Sequence, residues 1–168
     1  MTTFRITHEI RCGVDRFWQV FLDQDFTTRL FTNVLQFPEF RILDQSETDT
    51  EIIRHASARP KLGWFQSTGA RLMGSPFAFL ETGIFDKRTR IWKWDLKPTH
   101  MPDRLLNRGT VSVASLGPDR CSRTVEVTLE AKMPLLGHML ERSAVRRIQG
   151  GWEKSAAFIN ETLPDGTV

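Results

Sequence analysis

The stretch RTVEVTLEAKMPLLGHMLERSAVRRIQGGWEKSAAFINETL, residues 123–163, decides the fold. Its first part alternates apolar Val125, Val127 and Leu129 with Thr and Glu, which is typical of a strand with one buried face. After Pro134, a residue tolerated in the first turn of a helix, apolar residues recur at helical spacing. The sequence therefore predicts a last strand followed by one long amphipathic helix. The face of that helix consists of Leu136, Leu140, Ala144, Ile148, Trp152, Ser155, Ile159 and Leu163.

Two adjacent glycines, Gly150 and Gly151, interrupt the predicted helix. A glycine in a helix interior costs about 1 kcal/mol relative to alanine. The pair indicates either a bend or close approach to the sheet or a ligand, or else a tolerated weak point.

The N-terminal segment alternates in the same way and predicts a first strand. Helical spacing follows over residues 14–22. A second short helix is predicted after Asp25, a plausible N-cap. The apolar phase of the strand contains Phe4, Ile6, His8 and Ile10.

Strand patterns return between residues 37 and 116. The clearest turn runs from Asp86 to Thr89, so the strands on either side of it should form a hairpin. The breaker residues Gly117, Pro118 and Asp119 mark a later turn. The strand positions are Phe40, Ile42, Ile52, Ile53, residues 77–85, Trp92, Trp94, Leu96, Val111 and Val113.

The element order is a strand, two short helices, six strands and a long helix. An unbroken run of strands favours an antiparallel sheet, and the apolar helix stripe must be buried against one of its faces. The length of 168 residues fits one domain. We therefore predict a single α+β domain over residues 1–168, with an antiparallel sheet of about seven strands, a long C-terminal helix against one of its faces and a frayed tail at residues 164–168.

This order resembles the helix-grip fold of the START-like (SRPBCC) superfamily of lipid and hydrophobic-ligand binders, polyketide cyclases and birch-pollen-allergen (Bet v-like) relatives. Residues 80–98 and 132–163 look like an uncharacterised bacterial branch of it. They also faintly resemble the PRELI-like lipid-transfer proteins, in which a Glu, an Asp-containing turn and a late helix recur. The corresponding positions here are Glu81, Asp86 and the helix from Pro134.

Composition excludes several classes of function. The net charge is +3, but the basic residues are scattered among acidic ones without a zinc-finger spacing or basic tract, so no nucleic-acid partner is predicted. The N-terminus lacks the apolar core of a secretory signal, and no apolar stretch approaches the roughly 18 residues of a membrane span. A cytoplasmic location is therefore expected. The chain has no Tyr, which excludes any mechanism that needs one.

The resemblance implies a pocket between the concave sheet face and the C-terminal helix. Apolar walls with a few polar groups are typical of small-molecule sites. The alternative for the tryptophan pair is plain core. The residues predicted to line the cavity are His8, Trp92, Trp94, Val111, Val113, Leu140, Ile148 and Trp152.

His8 is the polar residue on an apolar strand face and is the catalytic candidate. A pocket histidine could orient or deprotonate a ligand. The alternative is a histidine satisfied by neighbouring groups, with Arg123 and Glu81 among its candidate partners. No catalytic triad, metal site or cofactor motif is found. The other histidines, in separate elements, are His55, His100 and His138.

Residues 58–76 combine apolar side chains with cations and have weak periodicity. Such a segment could dock on a membrane interface or close over the pocket as a lid. The alternative is an irregular strand with buried aromatics. The candidate residues are Trp64, Phe65, Leu72 and Met73.

The two cysteines, Cys12 and Cys121, are too few for a disulfide framework and are expected to be reduced. If the first and last strands pair antiparallel, both should be neighbours on the inward face.

The sequence leaves three hypotheses about function open. The leading one is non-catalytic binding or transport of a hydrophobic small molecule or lipid, because a pocket architecture lacks a catalytic constellation. The second is a cyclase-, dehydratase- or aromatase-type enzyme with His8 as the acid-base residue. The third is a protein-interaction module with a filled core, in which homodimerisation is an option. Fold alone does not choose among them.

Overall fold

A computed structural model describes residues 1–61, 78–100, 102–132 and 137–163. These residues form seven strands and three α-helices, with one π-helical turn (Leu30–Val34) after the second helix. The elements are β1 (Thr2–Ile10), α1 (Val14–Leu22), α2 (Gln24–Arg29), β2 (Glu39–Glu47), β3 (Glu51–Arg59), β4 (Phe79–Asp86), β5 (Ile91–Pro98), β6 (Leu105–Gly117), β7 (Arg120–Ala131) and α3 (Gly137–Thr162).

The strands form one curved antiparallel sheet in the order β1-β7-β6-β5-β4-β3-β2, which leaves β1 and β2 at its edges. The long helix α3 lies along β1 and β7 and against the π turn. This arrangement confirms the predicted α+β helix-grip fold. No helix in the described part of the chain is long and apolar enough to cross a membrane.

The pairing of β1 with β7 puts the two alternating patterns in phase. Phe4 lies opposite Val127, and Ile6 lies opposite Val125. Both apolar phases therefore point to the face that α3 covers, while Thr and Glu side chains of both strands point outward. The predicted hairpin at Asp86 also forms, because the backbone N–H of Arg90 donates to the carbonyl of Asp86 at 2.8 Å.

The N-cap of α2 was predicted wrongly. The cap is Asp23, whose carboxylate accepts a hydrogen bond from the backbone N–H of Phe26 at 2.6 Å, and Asp25 lies inside the first turn. The reason is that α1 ends at Leu22, so the free N–H groups of the next helix begin within reach of Asp23.

The helix α3 runs without interruption through Gly150 and Gly151. A Cβ at Gly150 would meet no atom within 4 Å, and one at Gly151 would make only an ordinary contact with Leu35 at 3.9 Å. Neither position requires a close backbone approach, so both are tolerated weak points of the helix. The predicted helix start at Pro134 lies outside the described residues.

Buried apolar side chains form two separate clusters. The larger cluster joins α1 and α3 to the inner face of the middle and β1 side of the sheet. The smaller one packs the π turn onto β2 and β3, where the Phe31 and Phe40 rings stack at 4.1 Å. The candidate site lies on the inner face of the middle strands, where Trp92 and Trp94 belong to the larger cluster.

Candidate functional site

Two tryptophans of β5 form an aromatic floor on the inner sheet face. Trp92 and Trp94 share a phase of β5, and glycines on the neighbouring strands make room for their rings. A Cβ at Gly83 of β4 would overlap the Trp92 ring, and one at Gly109 of β6 would overlap the Trp94 ring. The rings therefore lie across the adjacent strands, with 2% exposure for Trp92 and 8% for Trp94.

A buried ion pair lies next to this floor. Arg54 of β3 donates from Nη2 to Oε1 of Glu81 at 3.2 Å and from Nη1 to Oγ1 of Thr27 at 3.3 Å. Its guanidinium carbon is 4.5 Å from the centroid of the Trp92 ring, a cation–π contact. Arg54 is therefore held on three sides by the protein itself.

The Glu81 side chain is more exposed than that of its partner Arg54. The Arg54 side chain is 5% exposed and the Glu81 side chain 14%. Only Oε1 of Glu81 accepts a hydrogen bond from a described residue, so Oε2 has unused acceptor capacity within that part of the chain. The inner face thus presents a carboxylate side chain that is 14% exposed beside the aromatic floor.

A row of half-buried residues crosses the inner face of the middle strands. Along β5, Leu96 is half-buried between buried Trp94 and buried Pro98, and Asn107 of β6 is half-buried too. Glu81, Leu96 and Asn107 are successive partners in one cross-strand row. We call this row the open end of the inner face.

The helix α3 reaches the floor through Trp152. The rings of Trp152 and Trp94 lie 5.7 Å apart between centroids. Nε1 of Trp94 donates to the side-chain oxygen of Asn107 at 3.4 Å, which satisfies the indole and turns the amide toward the floor. The predicted residues Trp94 and Trp152 are therefore in contact beside the open end.

A second cationic centre lies farther along the sheet, around fully buried Arg123. Arg123 donates to Oγ of Ser155 at 3.0 Å, to the carbonyl of Trp152 at 2.8 Å and to Nδ1 of His8 at 3.1 Å. No described carboxylate pairs with it, and burial lowers its pKa to about 10. Among the two predicted partners of His8, the structure brings Arg123 into contact and assigns Glu81 to Arg54 instead.

The structure separates the predicted cavity residues into groups. Val111 is fully buried and Leu140 is 9% exposed, whereas Val113 and Ile148 are half-buried against the main cluster. His8 is half-buried beside Arg123, away from the open end. The predicted lid or membrane-docking residues Trp64, Phe65, Leu72 and Met73 lie outside the described residues.

The predicted proximity of the cysteines is confirmed. Ile10 of β1 pairs with Cys121, and both thiols are free and buried. A hydrogen bond between the thiols lowers the pKa of Cys12 and raises that of Cys121.

Sequence reasoning missed Arg54 and the two floor glycines. Arg54 is in phase with Ala56 and Ala58, the small buried residues of β3, which was the available signal. Gly83 of β4 and Gly109 of β6 both lie opposite Trp94, one on each side of β5. Only the strand register reveals this relation.

Solved structures with this fold have low sequence identity to the chain. The Zhui aromatase/cyclase from Streptomyces sp. R1128 is 12% identical with a TM-score of 0.62, over 94% of this chain and 93% of that one. A START superfamily protein from Mycobacterium smegmatis is 13% identical with a TM-score of 0.60, over 94% and 98%. Norcoclaurine synthase from Thalictrum flavum is 16% identical with a TM-score of 0.62, over 96% and 85%. At such identity they establish the fold alone.

The chain therefore has the START-like, helix-grip fold that the element order predicted. Within this class the chain belongs to the family described as a protein of unknown function (DUF2505), whose model matches residues 5–163. No curated protein matches the sequence.

Proposed function

We propose that this protein binds and carries a mostly apolar small molecule or lipid between the inner sheet face and α3. The observation that carries the proposal is the partly accessible carboxylate of Glu81, set above an aromatic floor at the open end. Such a combination of apolar surface and one oriented polar group is typical of small-molecule sites.

The chemistry of the site favours a ligand with one hydrogen-bond donor. Arg54 neutralises Glu81, so the pair as a whole does not demand a charged ligand. Oε2 of Glu81, to which no described residue donates, is an acceptor for a hydrogen bond from a hydroxyl or amide group, and Trp94, Leu96 and Trp152 offer apolar contact beside it. The predicted ligand is therefore a hydrophobic molecule with a hydroxyl or amide group.

The enzyme hypothesis has weaker support from His8. Its Nδ1 is already occupied by a donor from Arg123, and the residue lies apart from the open end. A base that removes a proton needs a free nitrogen within reach of the ligand. Binding without catalysis therefore remains the leading function, with a cyclase-, dehydratase- or aromatase-type activity second.

The first test is native mass spectrometry of the protein purified from its host, with organic extraction of any bound compound. A stoichiometric apolar compound with a donor group supports the proposal and identifies the ligand. A mass equal to that of the chain alone, together with no change in tryptophan fluorescence on titration with extracted host lipids, contradicts it.

The second test uses Glu81→Gln with the compound identified by extraction. Loss of a hydrogen bond to a charged group should weaken binding about 10-fold or more. The matched control is Glu126→Gln, because Glu126 pairs with Arg5 on the exposed outer face of neighbouring strands. Equal affinity of both variants and the native protein would exclude Glu81 as the anchor.

Glu81→Gln also weakens the partner of a buried arginine, so thermal unfolding is measured in parallel. A second variant, Leu96→Trp, fills the open end while both Arg54 and Glu81 are retained. It should reduce binding while the protein remains folded.

A further inference from the structure

The first turns of α3 carry an exposed stripe of apolar and cationic side chains. Residues three or four apart are neighbours on a helix surface, so Met139, Arg142 and Arg146 lie on one face. All three are exposed, and Met139 is 43% exposed. We call these three residues the α3 stripe.

The position of the stripe is fixed by a residue on the opposite side of the helix. Buried Glu141 accepts hydrogen bonds from Oγ1 of Thr2 at 2.6 Å and from the backbone N–H of Ala131 at 2.9 Å. These bonds tie the start of α3 to the ends of β1 and β7. Because Thr2 and Leu129 belong to the same cross-strand row as Asn107, the stripe faces solvent near the open end of the inner sheet face.

The positive charges of the stripe are not neutralised by the described residues. No carboxylate of the described residues pairs with Arg142 or Arg146, whereas Arg5 and Arg120 on the sheet are paired with Glu126 and Glu9. Like charges four residues apart on a helix are destabilising. The stripe therefore presents two unneutralised charges beside an exposed thioether.

We propose that the α3 stripe docks the protein on the surface of a membrane that contains anionic lipids. Cationic side chains are attracted to the negative lipid surface, and the apolar Met139 side chain can enter the interface beside them. A bilayer is favoured over nucleic acid because the stripe combines an exposed apolar side chain with the cations, and a phosphate backbone offers nothing for that side chain to enter. This docking requires no ligand in the inner-face site.

The size of the effect follows from the number of charges. Each basic residue near an anionic lipid surface strengthens binding about fivefold. The two arginines should therefore contribute about 25-fold to the partition coefficient, and added salt should reduce binding because it screens their charge.

The test is co-sedimentation of the full chain with vesicles of phosphatidylcholine, with and without phosphatidylglycerol. The double variant Arg142→Gln/Arg146→Gln should lose about 25-fold of its partitioning to the anionic vesicles. The matched control, Arg88→Gln/Lys154→Gln, removes the same charge from exposed positions outside the stripe and should lose less than about threefold. Met139→Asp should also weaken binding, and Met139→Leu should preserve it.

Three outcomes would overturn the docking proposal. In the first, the protein binds neutral and anionic vesicles equally well. In the second, both double variants lose the same amount of binding. In the third, the protein does not bind vesicles, and the stripe arginines are instead required for binding to RNA. Mass spectrometry of the stripe variant reports separately on the inner-face site. A variant that releases vesicles but still carries the extracted compound supports the docking proposal and leaves the pocket proposal intact.

Discussion

Arg123 donates a hydrogen bond from Nη2 to Nδ1 of His8 at 3.1 Å, which fixes the protonation state of this histidine. A guanidinium has donors only, so Nδ1 of His8 must accept and the ring carries its proton on Nε2. Protonation of Nδ1 would break the bond and place a second cation beside a buried one. Burial and the charge of Arg123 lower the pKa of His8, and Glu153 opposes them.

We expect this neutral histidine to make stability depend on pH. The unfolded ring titrates near 6.5 and the folded ring below it, so the unfolded chain binds more protons in between. The stability that depends on neutral His8 is complete above 6.5 and is lost as the pH falls through 6.5 toward the lower folded pKa. His8→Gln keeps an acceptor for Arg123 that does not titrate, and should flatten this decline.

Urea unfolding between about pH 5 and about pH 8 measures the effect, with one proton giving at most about 1.4 kcal/mol per pH unit. His100→Gln is the control, because His100 is exposed beyond β5. If His8→Gln retains the full slope of the native protein, His8 is not the group responsible.

The aromatic floor predicts a large cost for adding one methyl group. Gly83→Ala would force a Cβ into the ring of Trp92, and the ring or the strand must move. Overpacking of this kind costs about 1–3 kcal/mol. Chemical unfolding should show this loss, and near-ultraviolet circular dichroism should show a changed tryptophan signal.

Gly150→Ala is the matched control for Gly83→Ala. A Cβ at Gly150 meets open space in the middle of a helix, so this change should stabilise the protein by up to about 1 kcal/mol. Opposite signs for the two substitutions support the packing of Trp92 over Gly83. A neutral Gly83→Ala would contradict it.

The thiols of Cys12 and Cys121 should be unreactive in the folded protein. Their exposures are 6% and 0%, and each thiol contacts the other. Ellman's reagent should label neither cysteine under native conditions and both in denaturant. The positive control is Ser46→Cys, an exposed position of β2 that should react at once. Rapid native labelling of both cysteines would show that β1 and β7 do not enclose them.

The inward faces of β1 and β7 could be predicted because both strands alternate cleanly. In each, one phase is apolar and the other is mostly Thr and Glu, so their inward faces are readable without a structure. That phase also placed His8 and Arg123 on one face and the two cysteines near one another. The long helix followed from its spacing, and glycines at 150 and 151 did not break it because packing on the sheet supports it.

The Arg54–Glu81 pair could not be predicted because β4 is apolar in both phases, although Ala56 and Ala58 of β3 mark the phase of Arg54 as the inward one. Ile52 and Ile53 point to opposite faces, and exposed Ile84 is beside buried Phe85. Periodicity therefore does not show which face of β4 points inward. Only the strand register shows that Glu81 faces the floor. The glycines that accommodate the tryptophans have no local signal either, since their partners lie on neighbouring strands.

The side chain of Asn160 on α3 closes part of the β1 edge. Its Oδ1 accepts from the backbone N–H of Arg11 at 2.8 Å, and its Nδ2 donates to the carbonyl of Glu9 at 3.2 Å. The amide thus takes the place of a neighbouring strand at the end of an edge that would otherwise offer free backbone groups. Asn160→Ala should remove both bonds and cost about 1–2 kcal/mol in the free energy of unfolding.

The same substitution should expose β1 to pairing between molecules. Sedimentation velocity at increasing concentration should show more association for Asn160→Ala than for Glu161→Ala, a control at the adjacent exposed position. Asn160→Asp should cost nearly as much stability, because its carboxylate keeps the acceptor for Arg11 but repels the carbonyl of Glu9. If Asn160→Ala unfolds at the same urea concentration as the native protein, the amide does not hold α3 to the strand edge.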